Sequence, residues 1–171
     1  LESYEKYMKL SDNDDDTKFR YASFLFMTQD YKDSKALINQ LFAKGFSNKI
    51  GYRLLGYSDY ELGDSLSSVS NLELFFKQTD SSKYIPSDFL YYGRALVKTG
   101  KAADGIKNLS KAFAMDSTSN YELLLEMAEI SNTKLKRPGK SANKKTAFGR
   151  FFLFMLGNNH PVVSVRRPFG K

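Results

Sequence analysis

Three aspartates near the start of the chain have the spacing of calcium ligands. Asp12, Asp14 and Asp16 occupy alternate positions, as do the first three ligands of a helix-loop-helix calcium loop. Such a loop also needs glycine at its sixth position and glutamate at its twelfth, where this chain has Thr17 and Ser23. We therefore interpret the segment as an acidic loop that caps the following helix and complements its dipole.

No other residues assemble a recognisable catalytic or cofactor site. His160 is the single histidine, and it precedes Pro161, which is typical of a solvated loop. The absence of cysteine excludes disulfide scaffolds, thiolate metal sites and cysteine nucleophiles. The sequence also lacks a glycine-rich phosphate loop, a nucleophile triad and a paired histidine and glutamate metal motif. We expect a protein with no enzymatic activity, no cofactor and no bound metal.

The C-terminal segment combines positive charge with aromatic side chains. Residues 133–171 contain ten lysines and arginines and no acidic residue, whereas the whole chain has a net charge of +7. The phenylalanines interleaved with them are Phe148, Phe151, Phe152 and Phe154. This mixture could bind nucleic-acid phosphates and stack on bases, or lie on an anionic membrane surface. We favour a last helix that packs by its apolar side and exposes its lysines. The run 151–156 is apolar on all sides, so three other interpretations stay open. It could bury itself in a groove of the protein, join two chains in a homodimer through 148–156, or belong to a tail unrelated to the rest of the chain.

The elements that carry these residues repeat along the chain. Gly56 and Gly63 recur 37 residues later as Gly93 and Gly100, with Ala22 standing 34 residues before Gly56. Each unit has the apolar spacing of two helices, separated from the next unit by polar residues. We expect the first glycine of each pair to lie where a partner helix crosses too closely for a side chain. The second should end the first helix in a left-handed turn.

A 34-residue helix-turn-helix period with this spacing resembles the tetratricopeptide repeat. The second unit offers Tyr52, Leu55, Gly56, Ser68 and Leu72 at the positions of that pattern. The tryptophan and the terminal proline of the pattern are missing, and Asp59 replaces its second aromatic residue, which we interpret as ordinary drift. Aromatic residues at helical spacing, such as Tyr21, Tyr52, Phe89 and Tyr92, are interpreted as packing residues.

The resemblance implies an all-α, right-handed solenoid of stacked antiparallel helix hairpins. The expected units are the second helix of a preceding partial repeat at 1–14, full repeats at 15–48, 49–85 and 86–120, a degenerate fourth repeat or capping helices at 121–157, and an irregular basic tail at 158–171. We expect a fragment of a larger bacterial array. No apolar run approaches the roughly 20 residues of a membrane span, so we expect a soluble protein. The compartment, bacterial cytoplasm or periplasm, stays open because a secretion signal could have been removed.

By the same resemblance, the first helices line a concave groove that binds a peptide or a partner helix. The residues expected to face this groove are Phe26, Met27, Arg53, Tyr57, Tyr60, Glu61, Leu90, Arg94, Lys98, Glu129 and Asn132. Members of the family that bind chaperones hold a C-terminal carboxylate with a clamp of lysine, asparagine and arginine. The matching positions here hold Phe19, Ser23, Leu54, Ser87 and Tyr91, so that activity is not expected. The leading hypothesis is a non-catalytic protein-interaction scaffold, and the alternative is nucleic-acid or anionic-surface binding through the basic C-terminal segment.

Overall fold

The structure is a computed structural model that describes residues 14–116 and 121–134. These two ranges are almost entirely helical and contain no strand. In chain order the helices are α1 (Asp15–Met27), α2 (Tyr31–Ala43), α3 (Lys49–Glu61), α4 (Ser65–Gln78), α5 (Pro86–Lys98), α6 (Ala102–Met115) and α7 (Tyr121–Lys134), with one 3-10 turn at Ser81–Lys83. The chain divides into two compact units, 1–120 and 121–171. The predicted all-α class is confirmed.

Six helices of the first unit pair into three antiparallel hairpins. We name them hairpin 1 (α1 and α2), hairpin 2 (α3 and α4) and hairpin 3 (α5 and α6). Each hairpin packs most extensively within itself, and hairpin 2 packs against both hairpin 1 and hairpin 3. This is the nearest-neighbour stacking of a helical solenoid, as predicted. The second unit contributes one described helix, α7.

Side chains fix the starts of the helices. The Asp14 carboxylate accepts a hydrogen bond from the backbone N–H of Thr17 at 2.6 Å, and this bond lowers the pKa of Asp14. The acidic loop is therefore a helix cap, as the sequence indicated. Asn48 caps α3 and Asp64 caps α4 in the same manner. Pro86 stands at the first position of α5, where its missing N–H costs nothing.

Both predicted roles of the paired glycines are confirmed. Gly63 and Gly100 have φ of +86° and +87° and stand two residues after the last residues of α3 and α5, the first helices of hairpins 2 and 3. A Cβ at Gly56 would lie 2.5 Å from Leu72 Cγ. A Cβ at Gly93 would lie 2.9 Å from the backbone oxygen of Gly105, so α5 and α6 approach each other backbone to backbone.

The turn after α1 has glutamine where the later hairpins have glycine. Gln29 has φ +66°, a conformation that costs a residue with a side chain about 1–2 kcal/mol. We expect Gln29→Gly to raise the free energy of unfolding by about 1 kcal/mol, measured by urea denaturation. Gln40→Gly places glycine on an exposed position inside α2 and should lower it by about 1 kcal/mol. A decrease with both variants would contradict this account of the turn.

The connection between hairpins 2 and 3 contains the residues that lengthen the second repeat. Helix α4 is one residue longer than α2, and the following loop, 79–85, is two residues longer than the loop 44–48. The Tyr84 hydroxyl donates to the carbonyl oxygens of Phe76 at 2.7 Å and Thr79 at 3.1 Å. The loop is therefore bound to the end of α4.

Several predicted segments lie outside the described residues. These are almost all of the partial repeat at 1–14, the second half of the region 121–157, the segment 148–156 and the tail 158–171. Within the described ranges, no helix has both the length and the apolar character needed to cross a membrane.

Candidate functional site

An aromatic row crosses the first helices of the three hairpins. It consists of Phe26 on α1, Tyr57 and Tyr60 on α3, and Tyr91 on α5. Ring centroids lie 5.8 Å apart between Phe26 and Tyr57, 4.2 Å between Tyr57 and Tyr91, and 5.5 Å between Tyr60 and Tyr91. The structure thus brings together three predicted groove residues. It adds Tyr91, which the sequence analysis noted only as a mismatch to the carboxylate clamp.

Two charged groups lie at the edge of the aromatic row. The Tyr91 hydroxyl donates to Glu61 Oε1 at 2.7 Å, and burial together with this hydrogen bond raises the pKa of Tyr91. Lys98 Nζ stands 4.0 Å from the centroid of the Tyr60 ring, a cation–π contact. Glu61 and Lys98 are both exposed, so each retains free surface for a further contact.

Tyr57, although it belongs to the row, points into the interface between hairpins 2 and 3. It is 5% exposed, and its hydroxyl donates to Asp88 Oδ1 at 2.6 Å. Burial raises the pKa of Tyr57 well above its usual value, and the neighbouring Asp88 carboxylate adds to this effect. Tyr57 therefore packs against the other rings of the row from the protein interior and has little exposed surface for a further contact.

Arg53 is also engaged inside the protein. Its Nε donates to Asp88 Oδ1 at 2.7 Å and its Nη2 to Asp88 Oδ2 at 2.9 Å, a bidentate pair. The same Nη2 donates to the Lys83 carbonyl oxygen at 2.7 Å, and the guanidinium lies 4.5 Å from the centroid of the Phe75 ring. Arg53 thus joins α3, the 79–85 loop and α5.

Asp88 is the centre of this cluster and was missed by the sequence analysis. Its side chain is fully buried, and its Oδ2 also accepts the backbone N–H of Ile85 at 2.8 Å. In the sequence, an aspartate in the first turn of a helix indicates only a favourable dipole interaction. Its separation of 35 residues from Arg53 carries no local signal.

The remaining predicted groove residues differ in their surroundings. Met27 is 72% exposed at the end of α1. Leu90 and Arg94 on α5 are half-buried. Glu129 and Asn132 lie on α7, where Glu129 is exposed and Asn132 half-buried.

Nothing in the described part of the chain resembles a metal centre. Among residues 14–116 and 121–134, no group of three or more His, Asp or Glu side chains is arranged to hold a metal ion. The site is therefore an aromatic surface with charged edges, supported by a buried ion pair.

Comparisons with known proteins identify the fold. No protein-family model matches the chain, and no curated protein matches it in sequence. The solved C-terminal part of a TPR repeat-containing protein from Cytophaga hutchinsonii is similar, with a TM-score of 0.64 and 23% identity over 80% of this chain and 60% of that chain. The structure called MamA 41-end from Desulfovibrio magneticus RS-1 gives a TM-score of 0.65 and 13% identity over 90% of this chain and 80% of that chain.

The chain has the tetratricopeptide repeat fold. Hairpins 1 to 3 provide the two helices that each such repeat contains. The chain spans 60% of the length of the Cytophaga chain. At these sequence identities the similarity concerns the fold alone.

Asp59, which replaces an aromatic residue of the tetratricopeptide pattern, has a structural role in this chain. Asp59 is fully buried on α3. Lys35 Nζ of α2 lies 2.5 Å from its Oδ1, and Asn71 Nδ2 of α4 donates to its Oδ2 at 2.7 Å. An aromatic ring at this position would remove the partner of Lys35. Asp59 thus links hairpin 1 to hairpin 2 by an ion pair.

Three tyrosines, Tyr57 on α3 and Tyr91 and Tyr92 on α5, make the stability of the first unit depend on pH. Burial and a hydrogen bond to Glu73 raise the pKa of Tyr92 to about 12, and burial also raises the pKa of Tyr57 and of Tyr91. Since the unfolded chain loses tyrosine protons near pH 10, the stabilisation is complete below about pH 10 and is lost as the pH rises. We expect the free energy of unfolding to fall by up to about 1.4 kcal/mol per pH unit for a fully buried tyrosine, and by less for Tyr92.

Urea denaturation between about pH 9 and pH 11 measures this fall, and tyrosinate absorbance of the folded chain checks its origin. Ionisation of the folded chain should be incomplete at about pH 11 and should finish when urea is added. A folded chain whose tyrosines all ionise by about pH 11 would contradict the prediction.

Proposed function

We propose that this chain is a non-catalytic interaction module that binds a segment of a partner protein along the first helices of its repeats. The proposal rests on the continuity of the aromatic row across all three hairpins. Aromatic side chains dominate binding energy in protein interfaces, because they bury a large area at little cost in side-chain entropy. The exposed parts of Phe26, Tyr60 and Tyr91 are the candidate anchors. Solved structures with the same fold, among them a TPR repeat-containing protein, support a scaffold role in general.

The row is also preorganised, which favours binding. The Tyr57 hydroxyl bond to Asp88 and the Tyr91 hydroxyl bond to Glu61 hold two of the rings in place before any partner arrives. A partner would therefore lose less free energy to the ordering of side chains. Lys98 beside Tyr60 favours a partner segment that offers an acidic group next to an apolar one.

A peptide library displayed on phage and selected against the whole chain tests this proposal. We expect selected peptides to carry apolar side chains, and Tyr60→Ala or Lys98→Glu to weaken their binding about tenfold, as measured by fluorescence anisotropy. The matched control is Lys77→Glu, the same charge reversal on the exposed side of α4. Peptides that bind all three variants equally would remove the first helices as the site, and so would a library without binders.

Binding of nucleic acid or an anionic surface through residues 133–171 stays a prediction, since all of these residues except Thr133 and Lys134 lie outside the described ranges. Binding of this kind should weaken steeply between low and moderate salt concentration. A homodimer through 148–156 is likewise untested.

A further inference from the structure

The two joints between the hairpins carry buried ion pairs at different positions. Between hairpins 2 and 3, Arg53 pairs with Asp88, whose side chain is fully buried. The equivalent positions between hairpins 1 and 2, which are 34 and 37 residues earlier, hold Phe19 and Gly51. Both are buried, and a Cβ at Gly51 would lie 2.5 Å from the Phe42 ring. These two positions are therefore apolar and closely packed between hairpins 1 and 2, and charged between hairpins 2 and 3.

The second set of equivalent positions shows the opposite arrangement. Between hairpins 1 and 2, Lys35 pairs with the buried Asp59. The equivalent positions between hairpins 2 and 3, 34 and 37 residues later, hold Val69 and Leu96, which belong to one buried apolar cluster. Each joint thus contains one ion pair and one apolar pair. The set of positions that holds the ion pair in one joint holds the apolar pair in the other.

Two other orders of stacking show what the interchanged pairs exclude. Hairpin 1 placed directly on hairpin 3 would set Phe19 against Asp88 and Lys35 against Leu96. A buried carboxylate or ammonium without a partner is strongly unfavourable. That joint would therefore leave the fully buried Asp88 carboxylate without a cation and the half-buried Lys35 ammonium without its carboxylate.

The same holds for hairpin 2 stacked on hairpin 2 of a second copy. That contact would set Arg53 of one copy against Gly51 of the other. It would also set Val69 of the first copy against Asp59 of the second. Again two charges would be buried without a partner. The ion pairs are matched only when hairpin 2 follows hairpin 1 and hairpin 3 follows hairpin 2.

We propose that the two interchanged ion pairs specify the order in which the three hairpins stack and disfavour stacking of hairpin 2 onto hairpin 2 of a second copy. Buried ion pairs add little stability compared with apolar residues of similar size, whereas a mismatched one is costly. Their distinctive effect is therefore on the uniqueness of the assembly. This inference does not depend on the proposed partner binding.

The test is a variant in which both joints are apolar at both positions. Arg53→Phe, Asp88→Gly, Lys35→Val and Asp59→Leu each copy the residue that the other joint already accommodates. We expect the fourfold variant to keep its helical circular dichroism. After refolding from urea it should give a fraction of oligomers at least tenfold larger than the original chain, measured by size-exclusion chromatography with light scattering.

The matched control is Lys32→Val with Asp33→Leu, which removes two exposed charges on α2 without touching a joint. This control should refold like the original chain. The two double variants, Arg53→Phe with Asp88→Gly and Lys35→Val with Asp59→Leu, each keep one ion pair and should give intermediate oligomer fractions. If the fourfold variant does not fold, the oligomer fractions of the two double variants, measured in the same way, test the proposal instead.

Refolding of the fourfold variant to the same single species and yield as the original chain would overturn the proposal. An equal rise in oligomers with the control would attribute the effect to surface hydrophobicity and would also overturn it. Failure of the fourfold variant and of both double variants to fold would show that the pairs serve stability itself, with the same consequence.

Discussion

Replacement of Arg53 by methionine is expected to lower the free energy of unfolding by about 3–5 kcal/mol. Methionine keeps much of the aliphatic bulk that packs near Phe75, so the change removes mainly the charge and its hydrogen bonds. Asp88 would then remain in the joint between hairpins 2 and 3 with its side chain fully buried and no cation beside it. The Lys83 carbonyl oxygen would also lose its donor. A buried carboxylate that loses its partner is far more costly than the pair was favourable.

Urea denaturation followed by circular dichroism measures this loss, and Arg20→Met is the matched control. Arg20 is exposed on α1, so the same substitution there should change the free energy of unfolding by less than about 0.5 kcal/mol. Arg53→Met combined with Asp88→Leu should recover part of the loss, because no charge is then left unpaired. Equal effects of Arg53→Met and Arg20→Met would contradict a structural role for the ion pair.

The substitution Gly93→Ala is expected to lower the free energy of unfolding by about 1–3 kcal/mol. Alanine has the higher helix propensity, which by itself would raise stability by about 1 kcal/mol. The new Cβ, however, would lie 2.8 Å from Leu109 Cγ and 2.9 Å from the Gly105 carbonyl oxygen. A side chain can turn aside, but the backbone of α6 can move only if the two helices separate, so the packing loss outweighs the gain in propensity.

The equivalent position of hairpin 1 provides the comparison. Ala22 stands there fully buried, and its carbonyl oxygen accepts the Ser34 hydroxyl at 2.8 Å. Ala22→Gly should therefore lower the free energy of unfolding by about 1 kcal/mol or more. Alanine is thus expected to be the more stable residue at this position in hairpin 1, and glycine in hairpin 3. An increase in stability with Gly93→Ala, measured by urea denaturation, would show that the helices of hairpin 3 tolerate the extra carbon.

The hairpins were predictable because their signals are local. A small residue at the helix crossing, a left-handed glycine after the first helix and an aspartate cap each act within a few residues of one another. Gly56, Gly63 and Asp14 therefore had the roles that their sequence context indicated. Gln29 was not recognised, because glutamine carries no preference for the left-handed conformation that it adopts.

The ion pairs were not predictable, because they depend on how separate hairpins stack. Arg53 and Asp88 are 35 residues apart, and Lys35 and Asp59 are 24 residues apart. A first helix of this fold has one side in the joint with the next hairpin and another at the protein surface. The residue pattern alone did not distinguish the two sides at Arg53 and Tyr57. Only the packed structure shows that both point largely toward hairpin 3.

Helix α3 supplies one buried charge to each of its neighbours, the Asp59 anion toward hairpin 1 and the Arg53 cation toward hairpin 3. An array of identical repeats can be lengthened by inserting another copy of any unit, since each unit touches only the adjacent ones. Here a duplicated middle unit would meet itself with the wrong charges. Duplication or removal of the middle repeat therefore requires compensating changes in the flanking units.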